Sequence, residues 1–375
     1  MSKVEWKKFG DVCDILDSQR KPVAKGNRSH GVYPYYGANG IQDYVDDYIF
    51  DGTYLLLGED GSVINKDNSP VLHWATGKIW VNNHAHILKE NDKALLRYLY
   101  YALQCTDVSD IVRGMPPKLN QANMRTILIP IPSISEQNRI VEILDTFTAS
   151  IDNLKEQIAQ RRKQYEYYRD QLLNLEGKEG VEMKTCGSYC EVTDYVANGS
   201  FATLRENVSY KQEPDYAILV RTTDLSNNFK GDKIYIDERA YSFLSKSSLF
   251  GGEIIINNIG AGVGQTFKCP YLKERMSLGP NSILVRTPNN DFFYYYFNSI
   301  YGQNAMMKVV TPGAMPKFNK TGFKSITIPV PTLQEQQRIV DILDKFEASI
   351  QNLEAQLSER EKQYEYYRNK LLTFE

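Results

Sequence analysis

The sequence predicts an α+β protein in which two globular, β-rich domains are separated by a long antiparallel two-helix coiled coil with pseudo-two-fold symmetry. Three observations support this fold class. Residues 127–176 recur as residues 326–375, at a constant offset of 199 positions. The two copies share about 30 identical positions, and each carries the heptad pattern of a coiled coil. The segments that precede the copies differ widely in sequence. The repeat is therefore a common scaffold that carries two different globular segments.

This division of the chain predicts five segments. They are a first globular domain (1–132), a first helical spacer (133–176), a short linker (177–184), a second globular domain (185–331) and a second helical spacer (332–375). The chain has 375 residues, of which 42% are hydrophobic, so each half is long enough to bury its own core.

The two globular segments show the short apolar runs and turn signals of mixed or β-rich domains. The first contains predicted strands at 54–57, 79–81 and 84–88 and a predicted helix at 93–104. The second contains predicted strands at 216–220, 253–256 and 282–285 and an aromatic predicted helix at 291–301. Turn-forming residues lie between them at 37–40, 59–62, 257–260 and 262–264. Within the linker, the glycine-bounded stretch at 177–180 is too short for a flexible tether.

In each repeated block, apolar or aromatic residues, interrupted by one arginine, recur at alternating steps of four and three from Ile140 or Ile339 onwards, and no Gly or Pro lies within this series. The first series is Ile140, Leu144, Phe147, Ile151, Leu154, Ile158, Arg161, Tyr165, Tyr168, Leu172 and Leu175. The second is Ile339, Leu343, Phe346, Ile350, Leu353, Leu357, Arg360, Tyr364, Tyr367, Leu371 and Phe374. Ser133 and Thr332 follow prolines and are placed to cap the two helices.

One helix cannot bury such a seam alone, and the simplest partner for each copy is the other copy. Because each globular segment precedes its helix, antiparallel pairing relates the halves by a pseudo-two-fold axis. Two similar targets at a fixed separation, such as the half-sites of double-stranded DNA, suit this arrangement. The alternative is that both helices belong to an ordinary bundle inside a larger domain.

Two positions of the repeat interrupt or flank the seam. Arg161 and Arg360 lie within it, where a charge costs stability but fixes register and direction, unless each guanidinium reaches water. Tyr167 and Tyr366 lie off the seam. Exposed tyrosines are enriched at protein interfaces, which makes them candidate partner-binding residues, although an ordinary solvated surface explains them as well.

Composition limits the classes of function. The net charge of −2 excludes a protein that coats nucleic acid by bulk electrostatics, so any DNA contact must come from local patches. We expect no membrane span, no signal peptide and a cytoplasmic location, since no apolar run approaches the roughly 18 residues required. The five cysteines are an odd number, and Cys186 with Cys190 lacks a second pair for zinc.

Catalytic motifs are mostly missing from the sequence. The run 260–266 is glycine-rich, but Ile259 and Gln265 stand where a phosphate-binding loop requires Gly and Lys. It also lacks the βαβ context of a dinucleotide loop. His84 and His86 have strand spacing and face one side as possible metal ligands, yet no convincing third ligand accompanies them. Histidines satisfied within the strand are the favoured interpretation, and we expect no metal site and no catalytic residue.

The repeated motif resembles the conserved regions of type I restriction-modification specificity subunits. It reads Pro-x-Pro, then Glu-Gln, then Ile-x-x-Ile-Leu-Asp at 130–145 and 329–344, followed by a long helix ending in Tyr-Tyr-Arg-x-x-Leu-Leu. The opening at 6–12 is also similar to the start of such a domain, and 114–120 aligns with 313–319. The resemblance spans the chain.

The resemblance implies that each globular segment is a target recognition domain for one half of a split DNA sequence. It implies that the helices set the spacing and dock two methyltransferase subunits, with two restriction subunits beyond them. S-adenosylmethionine, ATP and Mg²⁺ are then expected in those partners, with no cofactor in this chain.

We select DNA-contact candidates among loop residues that offer forked donors or acceptors for base edges, or cations for phosphates. For any single candidate a capped turn or ordinary surface is an equal alternative. In the first domain they are Tyr35, Tyr36, Asn39, Glu59, Asp60, Ser62, Asn82, His84, Arg113 and Lys118. In the second they are Arg221, Thr222, Thr223, Asn257, Asn258, Gln265, Asn281, Lys317 and Asn319.

Two other classes of function compete with DNA recognition. A coiled-coil scaffold for protein partners predicts no affinity for DNA even when methyltransferase subunits are present. A self-contained methyltransferase and restriction enzyme would need the cofactor and catalytic motifs that are missing, and its binding of S-adenosylmethionine would be measurable.

Overall fold

The computed structural model describes residues 4–374. The chain divides into two compact units, Met1–Glu156 with Glu354–Glu375, and Gln157–Leu353. The ends of the first and last predicted segments, residues 1–3 and 375, lie outside the described residues. Each unit therefore contains one globular segment, the first half of the helix that follows it, and the second half of the other long helix.

The globular part of the first unit is built on a six-stranded sheet. Its strand order is β2-β7-β5-β6-β3-β4, with only β3 and β6 parallel among the pairs, and a separate pair joins β1 and β8. The strands are β1 (Glu5–Lys8), β2 (Asp14–Ile15), β3 (His30–Gly37), β4 (Gly40–Val45), β5 (Phe50–Gly58), β6 (Leu72–Val81), β7 (Ala85–Lys89) and β8 (Leu128–Ile131). The helices are α1 (Leu96–Leu103), α2 (Gln121–Thr126) and α3 (Ile134–Leu173).

Strand β5 explains the run of three leucines in the sequence. Leu55 and Leu57 face a core shared with Phe9 and α1, whereas Tyr54 and Leu56 face a second core with Phe50. A strand covered on both faces has apolar residues at successive positions rather than at alternate ones. The strands predicted at 54–57, 79–81 and 84–88 are confirmed, and the predicted helix begins at Leu96.

The second unit has two four-stranded sheets, β10-β17-β14-β15 and β12-β11-β16-β13, and the pair β18-β9. The strands are β9 (Glu182–Thr185), β10 (Glu191–Asp194), β11 (Ala217–Val220), β12 (Tyr235–Ile236), β13 (Ser248–Leu249), β14 (Ile254–Asn257), β15 (Thr266–Lys268), β16 (Arg275–Leu278), β17 (Ser282–Arg286) and β18 (Thr327–Val330). The helices are α4 (Cys186–Tyr189), α5 (Phe201–Asn207), α6 (Thr222–Ser226), α7 (Glu238–Phe243), α8 (Asn290–Asn298), α9 (Ile300–Met307), α10 (Lys320–Ser325) and α11 (Leu333–Leu372).

The aromatic helix predicted at 291–301 is wrong as a single element, because the chain breaks at Ser299 between α8 and α9. Ser299 has an extended backbone, and its hydroxyl accepts a hydrogen bond from the Gly302 N–H at 3.3 Å, which caps α9. A Cβ at Gly302 would lie 2.1 Å from the Tyr296 carbonyl oxygen, so the close turn requires glycine. The three strands predicted in this domain are confirmed.

The two long helices begin in the same way. The Ser133 hydroxyl accepts from the Glu136 N–H at 3.3 Å, and the Thr332 hydroxyl accepts from the Glu335 N–H at 3.3 Å, which confirms the predicted caps. The glutamine after each glutamate is fully buried and donates to a proline carbonyl, Gln137 to Pro132 and Gln336 to Pro331. These bonds give the Glu-Gln motif a structural role at the helix start.

Each unit shows antiparallel contact between α3 and α11. In the first unit, the ring of Phe147 near the start of α3 stacks on Tyr367 near the end of α11, with centroids 5.3 Å apart. In the second unit, Phe346 near the start of α11 stacks on Tyr168 near the end of α3, at 5.6 Å. The second pair repeats the first at the sequence offset, as pseudo-two-fold symmetry requires. The predicted antiparallel helix pair is confirmed.

Side chains of the globular segments hold the two long helices about three turns after their starts. In the first unit the Tyr101 hydroxyl donates to Asp145 at 2.5 Å, and the Arg97 guanidinium donates to the same carboxylate at 2.7 Å. In the second unit the Tyr295 hydroxyl donates to Asp344 at 2.6 Å. Among residues 4–374, neither long helix nor any shorter one has an apolar stretch sufficient to cross a bilayer.

Candidate nucleic-acid interface

In the first unit, three loops that carry predicted contact residues meet at one edge of the sheet. The turn after β5 bears Asp60, whose carboxylate is hydrogen-bonded to the His84 ring before β7. The ammonium of Lys118 lies 3.7 Å from the same carboxylate, and Asp60 pairs with Lys118 as an isolated β-bridge. Lys118 and Arg113 are exposed, and His84 is partly exposed. The structure therefore brings together acceptors and cations that sequence alone places far apart.

A largely buried ion-pair network lies beneath this edge. Both ring nitrogens of His86 are hydrogen-bonded, Nδ1 with Asp17 at 2.6 Å and Nε2 with the Leu119 carbonyl at 2.8 Å. Arg20 donates to Glu59 at 2.6 Å. Burial alone would raise the pKa of Asp17, but hydrogen bonds from His86, from Gln121 and from the backbone of Ile87 outweigh it and lower that pKa.

The same network bears on whether His84 and His86 could bind a metal ion. Possible ligand atoms of Asp17, Glu59 and His86 lie within 4.8 Å of one another. However, the imidazole already uses both nitrogens, and Arg20 supplies the positive charge beside Glu59. His84 and His86 contact different carboxylates: His84 lies partly exposed at the edge beside Asp60, and the buried His86 contacts Asp17. The favoured interpretation, histidines satisfied within the protein, describes both residues.

Three candidates of the first domain are buried packing residues. Tyr35 is 1% exposed, and its hydroxyl accepts a hydrogen bond from the Val23 N–H at 2.9 Å. Tyr36 belongs to the core behind β5, where burial raises the pKa of its hydroxyl. Asn82 is 3% exposed and accepts from the His84 N–H at 2.8 Å. These side chains shape the edge, and base contact would require them to leave their present positions.

The remaining first-domain candidates differ in how far their side chains are exposed to solvent. Glu59 is partly buried because it pairs with Arg20. Ser62 is exposed at the turn after β5, and Asn39 is exposed at the tip of the β3–β4 hairpin. The Tyr35 side chain is buried, and at the hairpin tip Ala38 is also buried, so Asn39 is the exposed residue of that turn.

The second unit builds a similar edge from amide side chains. Asn257 ends β14, and Asn258 donates through its side chain to the Phe318 carbonyl at 3.1 Å. The Asn258 N–H donates to the Asn281 carbonyl at 3.2 Å, which places the exposed Asn281 beside the turn. Lys317 pairs with Ile259 as an isolated β-bridge. Four candidates, Asn257, Asn258, Asn281 and Lys317, thus gather at one place.

The other second-domain candidates have local structural partners. Arg221 pairs with buried Asp224 at 2.6 Å, and Thr222 and Thr223 form the first turn of α6. Asn319 caps α10 by accepting from the Gly322 N–H at 2.8 Å. Gln265 is exposed between β14 and β15.

The two edges have equivalent backbone architecture although their side chains differ. The Gly61 N–H donates to the Pro117 carbonyl at 3.0 Å, and the Gly260 N–H donates to the Pro316 carbonyl at 2.8 Å. Both glycines have positive φ, +79° and +83°. The sequence repeat predicted that segments 114–120 and 313–319 are equivalent. It did not predict that these segments pair with the turns at Gly61 and Gly260, because that pairing joins residues far apart in the sequence. It also missed Asp17, Arg20 and Gln121, which support the first edge from below.

The helix residues singled out from the sequence lie in matching environments. The Arg161 guanidinium lies 6.0 Å from the ring centroid of Phe346, and that of Arg360 lies 5.7 Å from Phe147. Each arginine therefore contacts an aromatic face of the opposite helix. Tyr167 is 61% exposed and Tyr366 is 59% exposed. Their role in partner binding, like the role of the arginines in register, stays a prediction.

Comparison with known proteins adds independent findings. The sequence pattern of the type I restriction modification DNA specificity domain matches residues 1–161 and 178–361. A putative type I restriction enzyme specificity subunit of Haemophilus influenzae is 33% identical over all of this chain and 96% of its own length. The EcoR124I/EcoR124II specificity subunit of Escherichia coli is 31% identical, with 99% of this chain and 95% of that protein covered.

A solved structure has the same fold at low sequence identity. It is the S subunit of a type I restriction-modification system from M. genitalium, with a TM-score of 0.62 and 15% identity, covering 100% of this chain and 97% of that one. The predicted resemblance, fold class and role in DNA recognition without catalysis are confirmed, and the scaffold alternative gains no support. The chain, with its two matching domains, belongs to the type I restriction-modification DNA specificity family.

Proposed function

We propose that this chain reads a bipartite double-stranded DNA sequence, with each globular domain contacting one half-site through the edge described above. The observation that carries this proposal is the repeated backbone architecture with different side chains. The first edge offers Asp60 and His84, and the second offers Asn257 and the exposed Asn281. Carboxylates accept from the amino group of cytosine, whereas amides bind adenine in a bidentate manner. Lys118 and Lys317 supply cations for phosphates.

The partners that we propose are two methyltransferase subunits and two restriction subunits, in a cytoplasmic complex. S-adenosylmethionine, ATP and Mg²⁺ belong to those subunits in this proposal. The helices carry the docking surface in this proposal, since Tyr167 and Tyr366 are the more exposed members of two aromatic pairs at equivalent positions of the repeat, Tyr167 with Tyr168 and Tyr366 with Tyr367. Tyrosine contributes a large contact area to an interface at low entropic cost.

The helices also set the distance between the half-sites in this proposal. Residues 145–175, about 30 in number, span roughly 45 Å at about 1.5 Å per residue, or about 13 base pairs between half-site centres. Subtracting one average half-site length of three to five base pairs leaves an expected non-specific gap of roughly eight to ten base pairs.

Reconstitution tests the proposed function. The purified chain alone should neither methylate nor cut DNA, and sequence-specific methylation should appear when methyltransferase subunits are added in a two-to-one ratio. Methyl transfer by the isolated chain would disprove the division of labour. Absence of DNA affinity in the assembled complex would support the scaffold alternative instead.

The docking surface has its own test. We expect the double variant Tyr167→Ala and Tyr366→Ala to bind methyltransferase subunits at least tenfold more weakly, which corresponds to about 1.4 kcal/mol. The thermal unfolding of the chain should stay unchanged because both side chains are mostly in solvent. Lys163→Ala and Lys362→Ala, at other exposed positions of the repeat, provide the matched control. Equal binding by both double variants would place the docking surface elsewhere.

A further inference from the structure

Two equivalent loops project from the recognition edges. We name residues 113–118 the first tip loop and residues 311–317 the second tip loop. Each is closed by a pair of backbone hydrogen bonds between its ends, Arg113 with Lys118 at 2.9 and 2.7 Å and Thr311 with Lys317 at 2.7 and 3.3 Å. The next residue is a buried anchor, Leu119 or Phe318. The loop ends are therefore held in place while the tips extend into solvent.

Each tip bears one methionine that the fold does not use. Met115 is 100% exposed and Met315 is 64% exposed. A large apolar side chain left entirely in water forgoes the roughly 1.5 to 3 kcal/mol that its burial would provide. The segments 114–120 and 313–319 align without a gap. The methionine lies at the second position of the first segment and at the third position of the second. Both domains thus present an apolar group at the loop tip.

The surroundings of the methionines indicate the kind of ligand. Arg113 and Lys118 flank Met115, and Lys317 lies two residues after Met315, so cations stand beside each apolar tip. The backbone of each tip loop is bonded to the turn that carries the base-reading candidates, Gly61 in the first domain and Gly260 in the second. Cations next to an exposed apolar side chain suit nucleic acid, where phosphates surround apolar base faces.

We propose that Met115 and Met315 are wedge residues that insert between base steps of their half-sites. This inference rests on the proposed function. Methionine is slender, unbranched and polarisable, so it fits between partly unstacked base pairs. The flanking cations bind the phosphates on either side. The loop ends, which are held by backbone hydrogen bonds, keep the methionine in place against the tendency of the base pairs to stack again. The unstacking opens the duplex beside the bases that the edge residues read.

Fluorescence of 2-aminopurine in the assembled complex tests this inference. The probe is a duplex carrying the methylated sequence of the source cell, with 2-aminopurine placed in turn at each unmethylated adenine position of either half-site. Binding of the wild-type complex should raise the fluorescence at one step in each half-site. Met115→Ser should abolish the signal in the first half-site only, and Met315→Ser in the second only. Each should weaken specific binding by about tenfold, the effect of about 1.4 kcal/mol.

Control variants separate the wedge from other roles. Met115→Leu and Met315→Leu should retain most of the signal because leucine also occurs as an inserting residue. Unchanged fluorescence and affinity in both serine variants would overturn the inference while leaving the proposed function intact. Loss of methyltransferase assembly in those variants would overturn it in favour of a protein contact. An effect that disappears when thymine is replaced by uracil would overturn it in favour of a thymine-methyl contact. Failure of the wild-type complex to bind DNA would instead refute the proposed function.

Discussion

At the scale of single residues, the ion-pair network under the first recognition edge holds loops from four parts of the sequence. Asp17 accepts hydrogen bonds from His86, from Gln121 at 2.8 Å and from the Ile87 N–H at 3.0 Å. Its side chain is only 6% exposed. Removing one partner from a buried ion pair leaves the other charge uncompensated, so this carboxylate is the residue on which the edge depends most.

We expect Asp17→Asn to lower the free energy of unfolding of the first unit by about 2 kcal/mol at pH 7. All three tryptophans, Trp6, Trp74 and Trp80, belong to this unit. Tryptophan fluorescence therefore reports its unfolding without a signal from the second unit. Asp14→Asn, at an exposed position three residues earlier, is the matched control and should change little.

The pH dependence of this difference follows from the lowered pKa of Asp17. A carboxyl whose pKa is lower in the folded state contributes stability above its unfolded pKa of about 3.9 and loses it as pH falls through the folded pKa. The gap between wild type and Asp17→Asn should be complete at pH 7 and should shrink below about pH 4. A gap that stayed constant into that range would show that the ionised carboxylate is not responsible.

The sequence predicted which residue types lie at the recognition edges better than it predicted which of those residues are exposed. The sequence identified Asp60, His84 and Lys118 as candidates, and the structure brings these three together. It could not show that Tyr35 and Asn82 are buried, because that depends on the pairing of β3 with β4 and β6. Tertiary contacts decide which of these loop side chains are buried and which are exposed. A local sequence pattern does not encode those contacts.

At the scale of elements, the long helices were predictable because their pattern is periodic and present twice. Both span 40 residues with the expected caps. The short helices were less predictable, since the break at Ser299 depends on one hydroxyl and one close glycine contact. Local hydrogen bonding of that kind interrupts an aromatic pattern that otherwise favours one continuous helix.

The stacked pairs between the helices provide a test of antiparallel pairing. Phe147→Ala should destabilise the first unit by about 2 kcal/mol because Phe147 stacks on Tyr367 and faces Arg360. A double-mutant cycle with Tyr367→Ala should give a coupling energy of about 1 kcal/mol, measured by tryptophan fluorescence. The cycle of Phe147→Ala with Tyr44→Ala, an exposed tyrosine of the same unit, is the control and should be additive. Additive behaviour in both cycles would argue against the stacking contact.

At the scale of the whole molecule, the duplication implies that the two recognition domains act independently. We expect exchange of residues 2–129 for the matching segment of another family member to change one half of the recognised sequence and to leave the other half intact. Methylation mapping of a cell expressing the chimera measures both halves at once. Simultaneous change of both halves would show that the domains do not read separately.

The fold class and the symmetric organisation could be predicted at this scale because they depend on the repeat alone. The constant offset of 199 residues relates the helix caps, the stacked pairs and the tip loops. The bases that are read could not be predicted, since they depend on exposed side chains in the segments that differ most between the two halves. The central claim is therefore about spacing, which follows from helix length.

Insertion of one heptad into both helices tests that claim most directly. The insertions would lie between Ile151 and Ile158 and between Ile350 and Leu357, where a whole heptad preserves the seam. Seven residues lengthen each helix by about 10 Å, or about three base pairs of B-DNA. Methylation mapping of the variant should find both half-sites unchanged and the gap between them longer by about three base pairs. Unchanged half-sites with an unchanged gap would contradict the conclusion that the helices set the spacing.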